Sequence, residues 1–238
     1  MRSMAYDRIL LKLSGEALLG GGETGIDPAL VARFAREIAD VRALPTQVAV
    51  LVGGGNLFRG AELAEHGYDR GTADYMGMLA TVLNGLALTD ALERIGETVR
   101  LVSSIKMEEV AEPYIRRRCI RHLEKGRIVV LTCGLGRPFF STDTAAVQRA
   151  LEIGADVVFK GTRVKGVYDR DPEQFPDAKF YERLTFDDAM AEHLDILDQA
   201  AFALCRDNGL PLLVFNLFEE GNLLRAAKGE SVGTLVTG

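Results

Sequence analysis

Apolar runs of strand length alternate along this chain with segments whose apolar residues recur at helical spacing. Ile9, Leu10, Leu11 and Leu13, interrupted only by Lys12, read as a buried strand that ends at Ser14-Gly15-Glu16. A loop centred on Gly20-Gly21-Gly22 follows, and Asp27-Pro28 predicts a helix start, with an aspartate cap and proline at the first helical position. Leu30, Val31, Phe34, Ile38 and Val41 give that helix one apolar face to lay on a sheet. A second apolar strand over 48–52 runs into Gly53-Gly54-Gly55-Asn56, and a short helix is expected over 57–65. A longer helix is expected from Thr72 or Ala73 to Arg94, with Met76, Leu79, Ala80, Leu83, Ala87 and Leu92 among its apolar positions and Asp74 in its first turn.

The alternation continues to the end of the chain. Strands are expected at 99–103, 127–132, 156–160, 179–184, 212–215 and 233–236. Helices are expected at 110–124 in spite of Pro113, from Ser141 or Thr142 through Leu151, at 185–193 with a Thr185/Asp188 capping box, onward through 194–208, and at 220–228. This is the pattern of a layered α/β fold. No repeat, low-complexity tract or linker divides residues 1–238, so one domain is expected.

Composition narrows the function classes. A chain of 238 residues with 47% hydrophobic and 26% charged residues buries a substantial core. Its net charge of −6 gives no uniformly basic surface for nucleic acid. The run Arg116-Arg117-Arg118 with Arg121 is interleaved with Ile115, Cys119, Ile120 and Leu123, which reads as a solvated helix face or a subunit contact rather than a nucleic-acid contact. Cys119, Cys133 and Cys205 are too scattered for a disulfide framework or a CxxC metal pair, and His66, His122 and His193 lack ligand spacing. Residues 1–5 lead into the first strand without the apolar segment of a signal peptide, and no stretch stays uncharged long enough to cross a bilayer. A cytoplasmic protein without nucleic-acid or membrane partners is expected.

Candidate chemistry gathers where strands end in glycine. Ser14-Gly15 beside Lys12, and Gly53-Gly54-Gly55 with Arg59 following, offer closely approachable amides next to cations, as a polyphosphate requires. In Gly134-Leu135-Gly136-Arg137-Pro138-Phe139-Phe140-Ser141-Thr142-Asp143, an arginine and two phenylalanines precede a helix start, where exposed amides can hold a phosphate as readily as a capping hydroxyl. Lys160 ends another strand, and Tyr168 and Asp171 follow in a charged, glycine-rich turn that could line a base and ribose pocket. Asp74 is open to two readings, a partner for the helix dipole or an acceptor for sugar hydroxyls.

Taken jointly and in order, Lys12-Leu13-Ser14-Gly15-Glu16, Gly53 through Gly60, Asp74-Tyr75-Met76-Gly77-Met78-Leu79-Ala80, Gly136 through Asp143, and Gly166-Val167-Tyr168-Asp169 with Asp171-Pro172 resemble the bacterial uridylate (UMP) kinases of the amino-acid-kinase fold family. The resemblance spans nearly the whole chain. It implies a three-layer α/β/α sandwich around a mainly parallel sheet, with UMP held mainly by the N-terminal part and ATP by the C-terminal part. The absence of GxxxxGK[ST] fits this fold rather than that of the P-loop kinases.

The resemblance implies that Lys12, Leu13, Ser14, Gly15, Gly55 and Arg59 surround the ATP phosphates and that Thr162, Tyr168 and Asp171 contribute to its nucleoside pocket. Gly54, Asp74, Leu135, Gly136, Arg137, Pro138, Phe139, Phe140, Ser141 and Thr142 are implied to hold UMP. Lys12 and Lys160 are the implied catalytic cations, and Asp143 and Asp198 the acidic residues that order magnesium, water or the lysines. Mg²⁺ is implied as the companion of ATP, with no metal ligand directly assigned. A hexamer built as a trimer of dimers, inhibition by UTP and activation by GTP are implied too, although the 20–27 loop lacks the phenylalanine of the activation segment of many relatives. Leu135 and Arg137 stand where Thr and Asn are common, Ser141 replaces the first of two threonines, and Lys165 stands where Asp is common. An amino-acid carboxylate kinase and a non-catalytic nucleotide-binding or storage protein of the same fold are the alternatives.

Overall fold

The computed structural model describes residues 6–238, apart from the side-chain surroundings of Gly60, Ala61 and Ala64; residues 1–5, read above for a signal segment, lie outside the described residues. In chain order its elements are β1 (Arg8–Leu13), α1 (Pro28–Arg42), β2 (Gln47–Val52), α2 (Gly60–Glu65), α3 (Arg70–Arg94), β3 (Val99–Ser103), β4 (Glu112–Pro113), α4 (Arg116–Glu124), β5 (Ile128–Thr132) and α5 (Thr142–Ile153). They continue as β6 (Val157–Thr162), β7 (Val167–Tyr168), β8 (Phe180–Tyr181), β9 (Arg183–Thr185), α6 (Phe186–Ala191), α7 (Gln199–Asn208), β10 (Leu212–Asn216), α8 (Asn222–Ala227) and β11 (Gly233–Thr237). Nine strands make one sheet in the order β4-β3-β5-β2-β1-β6-β10-β11-β9. Within it only the β10–β11 pair is antiparallel; β7 and β8 form a separate antiparallel ribbon.

Strand periodicity sorts the side chains into two helical layers. Ile9, Leu11 and Leu13 of β1, with Val48, Val50 and Val52 of β2, pack with Phe34 and Ile38 of α1, Leu88 and Leu92 of α3 and Leu223 of α8. Leu10, Ala49, Leu51 and Val158 face the opposite layer, which includes Ala146 and Val147 of α5 and Ala201 and Cys205 of α7. By the same alternation, Lys12 and Lys160 project toward the α5 layer at the carboxyl ends of their strands. The mainly parallel sheet covered on both faces is the layered α/β fold that the alternation of elements predicts, in the three-layer form that the family resemblance implies.

The chain runs outward from β1 in both directions, through β2 and β5 on one side and β6 and β10 on the other. The carboxyl end of β1 is therefore a topological switch point, the crevice where open parallel sheets bind ligands.

Several boundaries differ from the sequence reading. The long helix starts at Arg70, because Asp69 accepts the Thr72 amide and caps it; Asp74 thus lies in its second turn. Residues 112–113 pair as β4, and the following helix starts only at Arg116, since Pro113 lacks an amide donor and disfavours helical backbone at Glu112. Residues 194–198 are not helical: Asp198 takes the Ala200 and Ala201 amides and begins α7. The Thr185/Asp188 capping box and the Asp27-Pro28 helix start are present as read. Among the described residues, α3 alone has the length and mean hydropathy of a membrane span, and it packs on α1, α2 and the sheet.

Candidate active site

Three backbone segments meet at the carboxyl end of β1 so closely that side chains are excluded. A Cβ on Gly15 would lie 2.6 Å from the Gly55 amide nitrogen, one on Gly53 2.8 Å from the Gly15 nitrogen, and one on Gly54 2.6 Å from the Gly77 carbonyl oxygen of α3. Glycine is needed here for approach, not for backbone angle. The Gly53 amide donates to the Leu13 carbonyl at 2.8 Å, extending the β1–β2 pairing into the turn.

Beside these turns stands a lysine–aspartate–lysine cluster. Lys12 Nζ lies 2.9 Å from Asp143 Oδ1, and Lys160 Nζ donates to Asp143 Oδ2 at 2.7 Å. Lys160 also donates to the Ile196 carbonyl at 2.6 Å. The three side chains are only 12%, 15% and 19% exposed for Lys12, Asp143 and Lys160, so their charges interact with little screening. Burial by itself would raise the Asp143 pKa, but the two lysines, by charge and by hydrogen bonding, outweigh it and hold the carboxyl below its ordinary value.

Cavities open on either side of the cluster. One of about 280 Å³ is lined by Lys12, Ser14, Gly15, Gly54, Gly55, Arg59, Asp74, Leu135, Arg137, Phe140, Ser141 and Thr142 among others. The other, of about 480 Å³, is lined by Lys160, Thr162, Tyr168 and Asp171, together with Asp169, Arg170 and the 193–196 segment. Leu13 has its side chain in the core and offers only backbone to the site. Gly136, Pro138 and Phe139 do not line the first cavity; Phe139 is 72% exposed, under the Arg70 guanidinium. Arg59 pairs with Glu16 and Glu62. Thr162 Oγ1 is within donating distance of the Val164 carbonyl at 2.8 Å, the Tyr168 ring packs on Phe180, and Asp171 accepts from the Glu173 amide and Gln174.

The loop from Cys133 to Ser141 is held in uncommon backbone conformations. Cys133 and Phe139 have φ of 60° and 69°, in the left-handed region that side chains rarely adopt. Both amides have partners: Cys133 N–H donates to Thr81 Oγ1 at 2.7 Å, and Phe139 N–H to Asp74 Oδ2 at 2.8 Å. Asp74 Oδ1 also accepts from Arg70 Nε at 2.9 Å. Asp74 thus fastens the loop to α3.

Asp198 joins two helix starts. It caps α7 and also accepts from the hydroxyls of Ser141, which caps α5, and of Thr144. Burial pushes its pKa up, but the Ser141 hydroxyl, the Ala201 amide and the Thr144 hydroxyl outweigh burial and hold it down. Its oxygens are committed to protein donors, so it fits an anchor better than a metal ligand.

Sequence reasoning missed the Ile196 carbonyl, which no side-chain pattern reveals, and the buried pair Asn56–Asn84. The two amides bond reciprocally, Asn84 Nδ2 donates to the Gly53 carbonyl at 2.7 Å, and Asn56 Nδ2 donates to the Gly25 carbonyl at 2.7 Å. An asparagine set among the apolar positions of a long helix was the available signal, since such a group must find partners once buried. The three cysteines are free and buried, and burial raises the thiol pKa of each, to about 11 for Cys119 and about 12 for Cys205. Burial and a raised pKa suit all three to packing rather than to nucleophilic chemistry.

A sheet with glycine turns and a lysine–aspartate–lysine cluster at its switch point offers assembled cations and amides to an anion, and comparison with known proteins gives its class. The profile of the amino acid kinase family matches residues 7–216. The uridylate kinases of Xanthomonas oryzae pv. oryzae and Xanthomonas euvesicatoria pv. vesicatoria are each 55% identical over 238 residues, covering all of this chain and 99% of the relative. The solved UMP kinase of Bacillus anthracis superposes with a TM-score of 0.94 at 40% identity, over 98% of this chain and 96% of that one. The UMP kinase of Ureaplasma parvum superposes at 0.93 with 34% identity over the full length of both. The chain belongs to the amino acid kinase family, among its bacterial uridylate kinases.

Proposed function

We propose that the protein transfers the γ-phosphoryl group of ATP to UMP, giving ADP and UDP in pyrimidine nucleotide synthesis. The observation that carries this reading is the Lys12–Asp143–Lys160 cluster between two cavities in a chain 55% identical to uridylate kinases. UMP occupies the cavity between Gly54, Asp74 and the 135–142 loop. The ATP nucleoside occupies the cavity of Thr162, Tyr168 and Asp171, and its phosphates reach across to Lys12, Gly15, Gly55 and Arg59. A UMP phosphate oxygen is already anionic at neutral pH, so no strong base is required. Catalysis is alignment of two anions and neutralisation of the charge that spreads over the transferring group. Lys12 and Lys160 supply that neutralisation from a poorly screened site, and Asp143 keeps their ammonium groups from repelling each other.

Mg²⁺, implied by the family as the companion of ATP, would be brought to the site with the nucleotide. Such an ion would be held chiefly by phosphate and water oxygens, as Mg²⁺ at phosphoryl-transfer sites usually is. Asp143 meets both lysines, Lys12 through Oδ1 and Lys160 through Oδ2, so its part is to hold the cations that would face the metal-bound phosphates. When bound, the ion neutralises the phosphate oxygens between which transfer occurs.

Assembly and regulation extend the same reading: a hexamer built as a trimer of dimers, inhibited by UTP and activated by GTP. Support for self-association is an exposed apolar stripe on α3, Tyr75, Leu79, Leu83 and Leu86. Three free buried thiols fit a reducing, cytoplasmic setting. The test is an assay of the purified protein with ATP and magnesium against UMP, CMP, AMP, aspartate and acetylglutamate. Transfer to UMP is expected; transfer to an amino acid but not to UMP overturns the reading.

A further inference from the structure

Arg149 is a buried cation that the transfer step does not use. It stands on α5 with 7% of its surface exposed. Its Nη1 donates to Glu152 Oε2 at 2.6 Å, its Nη2 to Ser104 Oγ at 2.9 Å and more weakly to the Gly134 carbonyl at 3.4 Å, and its guanidinium lies over the Tyr114 ring at 3.7 Å. Ser104 Oγ donates to the same Gly134 carbonyl at 2.6 Å. Arg149 Nε is buried without a partner.

As a stabilising element this arrangement is poor, because a buried guanidinium loses its hydration and an unpaired donor adds to the penalty. Its effect is geometric. Cys133 and Gly134 are consecutive left-handed residues, with φ of 60° and 50°, and the Gly134 carbonyl is taken up by Ser104 and Arg149. The Gly136 amide then closes back on the Cys133 carbonyl at 2.7 Å, and a Cβ on Gly136 would lie 2.8 Å from the Ser104 carbonyl oxygen. The turn from which Leu135, Arg137 and Phe140 enter the cavity is thus pressed onto Ser104, and Arg149 holds Ser104 from behind.

We infer that Arg149, acting through Ser104 and the Gly134 carbonyl, is a positioning residue for the acceptor-nucleotide loop. It sets the affinity for UMP without touching UMP. This rests on the assignment of that loop to UMP. The competing account is an anchor for α5 alone, through the Tyr114 ring that Arg149 covers and the Tyr114 hydroxyl that donates to Glu152 of the same helix, which would leave both substrate constants unmoved.

Two variants decide between them. Arg149→Met keeps the length and apolar stem, and Ser104→Ala removes the relay while leaving the arginine. Arg149→Met is expected to raise the KM for UMP about tenfold, with the KM for ATP within about twofold of the unaltered protein. Ser104→Ala should raise the same constant by less, and the double variant should be no worse than Arg149→Met, since both act through one carbonyl. An unchanged KM for UMP, or equal rises for both substrates, overturns the inference; should Arg149→Met fail to give soluble protein, Ser104→Ala alone decides. Absence of UMP turnover by the unaltered protein would overturn the proposed function and the inference with it, whereas normal turnover with an unmoved KM overturns the inference alone.

Discussion

Lys12 and Lys160 are register partners on the neighbouring parallel strands β1 and β6, and both ammonium groups close on the single carboxylate of Asp143. Register partners project from the same face of a sheet, so two like charges are forced together wherever both positions are lysine. Asp143, reaching in from the start of α5, makes the pair tolerable in the resting protein. A second anion arriving between the lysines, such as a transferring phosphoryl group, finds cations already assembled and held.

The first prediction follows from that preorganisation. Lys12→Ala should lower kcat by about a hundredfold or more, because the cation is worth most where charge develops. The thermal midpoint should move little, since Lys160 still pairs with Asp143 in the variant. Rates at saturating ATP and UMP alongside a melting curve measure both; unchanged kcat would remove Lys12 from the transfer step.

Asp143 yields a pH dependence whose sign is fixed. Burial works to raise its pKa, but the lysines prevail and its native value is depressed. A group with a depressed native pKa stabilises the fold above its unfolded value, about 3.9 for aspartate, and that contribution is lost as the pH falls through the native value. The stability advantage of the unaltered protein over Asp143→Asn should be constant from neutrality to about pH 5 and narrow below about pH 4. Urea titrations at a series of pH values test this. An advantage that widens on acidification contradicts the ion-pair account.

How far the site could be read from the chain depends on whether each residue breaks a local pattern. Lys12 does, as the one charge inside an apolar strand, and the glycines at 53–55 do, as a run where a strand ends. The Lys12–Asp143 and Asp198–Ser141 contacts join residues more than fifty positions apart, and local periodicity carries no information about such pairs. Residues 194–198 are expected from the sequence to continue the helix, yet Asp198 is itself a helix cap, and its side chain satisfies the first amides of α7. The fold was the more legible part, since hydrophobic periodicity specifies layers directly. Pro113 was the clear exception: its missing amide outweighed the apolar spacing around it.

Asp74 should matter to the acceptor before the donor. Its two oxygens hold the Phe139 amide and Arg70 Nε, so Asp74→Asn leaves one of those donors facing an amide NH₂. The KM for UMP is expected to rise several-fold while that for ATP stays near its original value. A change confined to ATP would move Asp74 to the other substrate.

The α3 stripe bears on assembly. Leu79 and Leu83 are 52% and 51% exposed and lie one turn apart beside Tyr75 and Leu86. Charged residues there should disfavour a covered face while leaving the fold intact. Light scattering on the eluting protein should give a hexamer mass for the unaltered chain and a smaller species for Leu79→Glu with Leu83→Glu. A monomer in both would end the proposal of a trimer of dimers.

Arg137 is an exposed cation at the rim of the acceptor cavity. It lines the same cavity as Arg59, but the two arginines differ in what they already hold: Arg59 is paired with Glu16 and Glu62, whereas among the described residues no hydrogen bond or ion pair engages the Arg137 guanidinium. An uncommitted guanidinium in a left-handed loop, next to the capped start of α5, can meet a phosphate without first breaking a contact. Arg137→Asn keeps a residue suited to the turn and removes the guanidinium with its charge and reach. UMP affinity should fall by roughly 1 kcal/mol at low salt, with a smaller difference at moderate salt because the contact is solvent-facing, and ATP affinity should hold. Titration calorimetry with each nucleotide at two ionic strengths measures this. Equal UMP affinity for the two proteins at low salt would leave Arg137 a solvated residue of the loop, whatever happened to the catalytic rate.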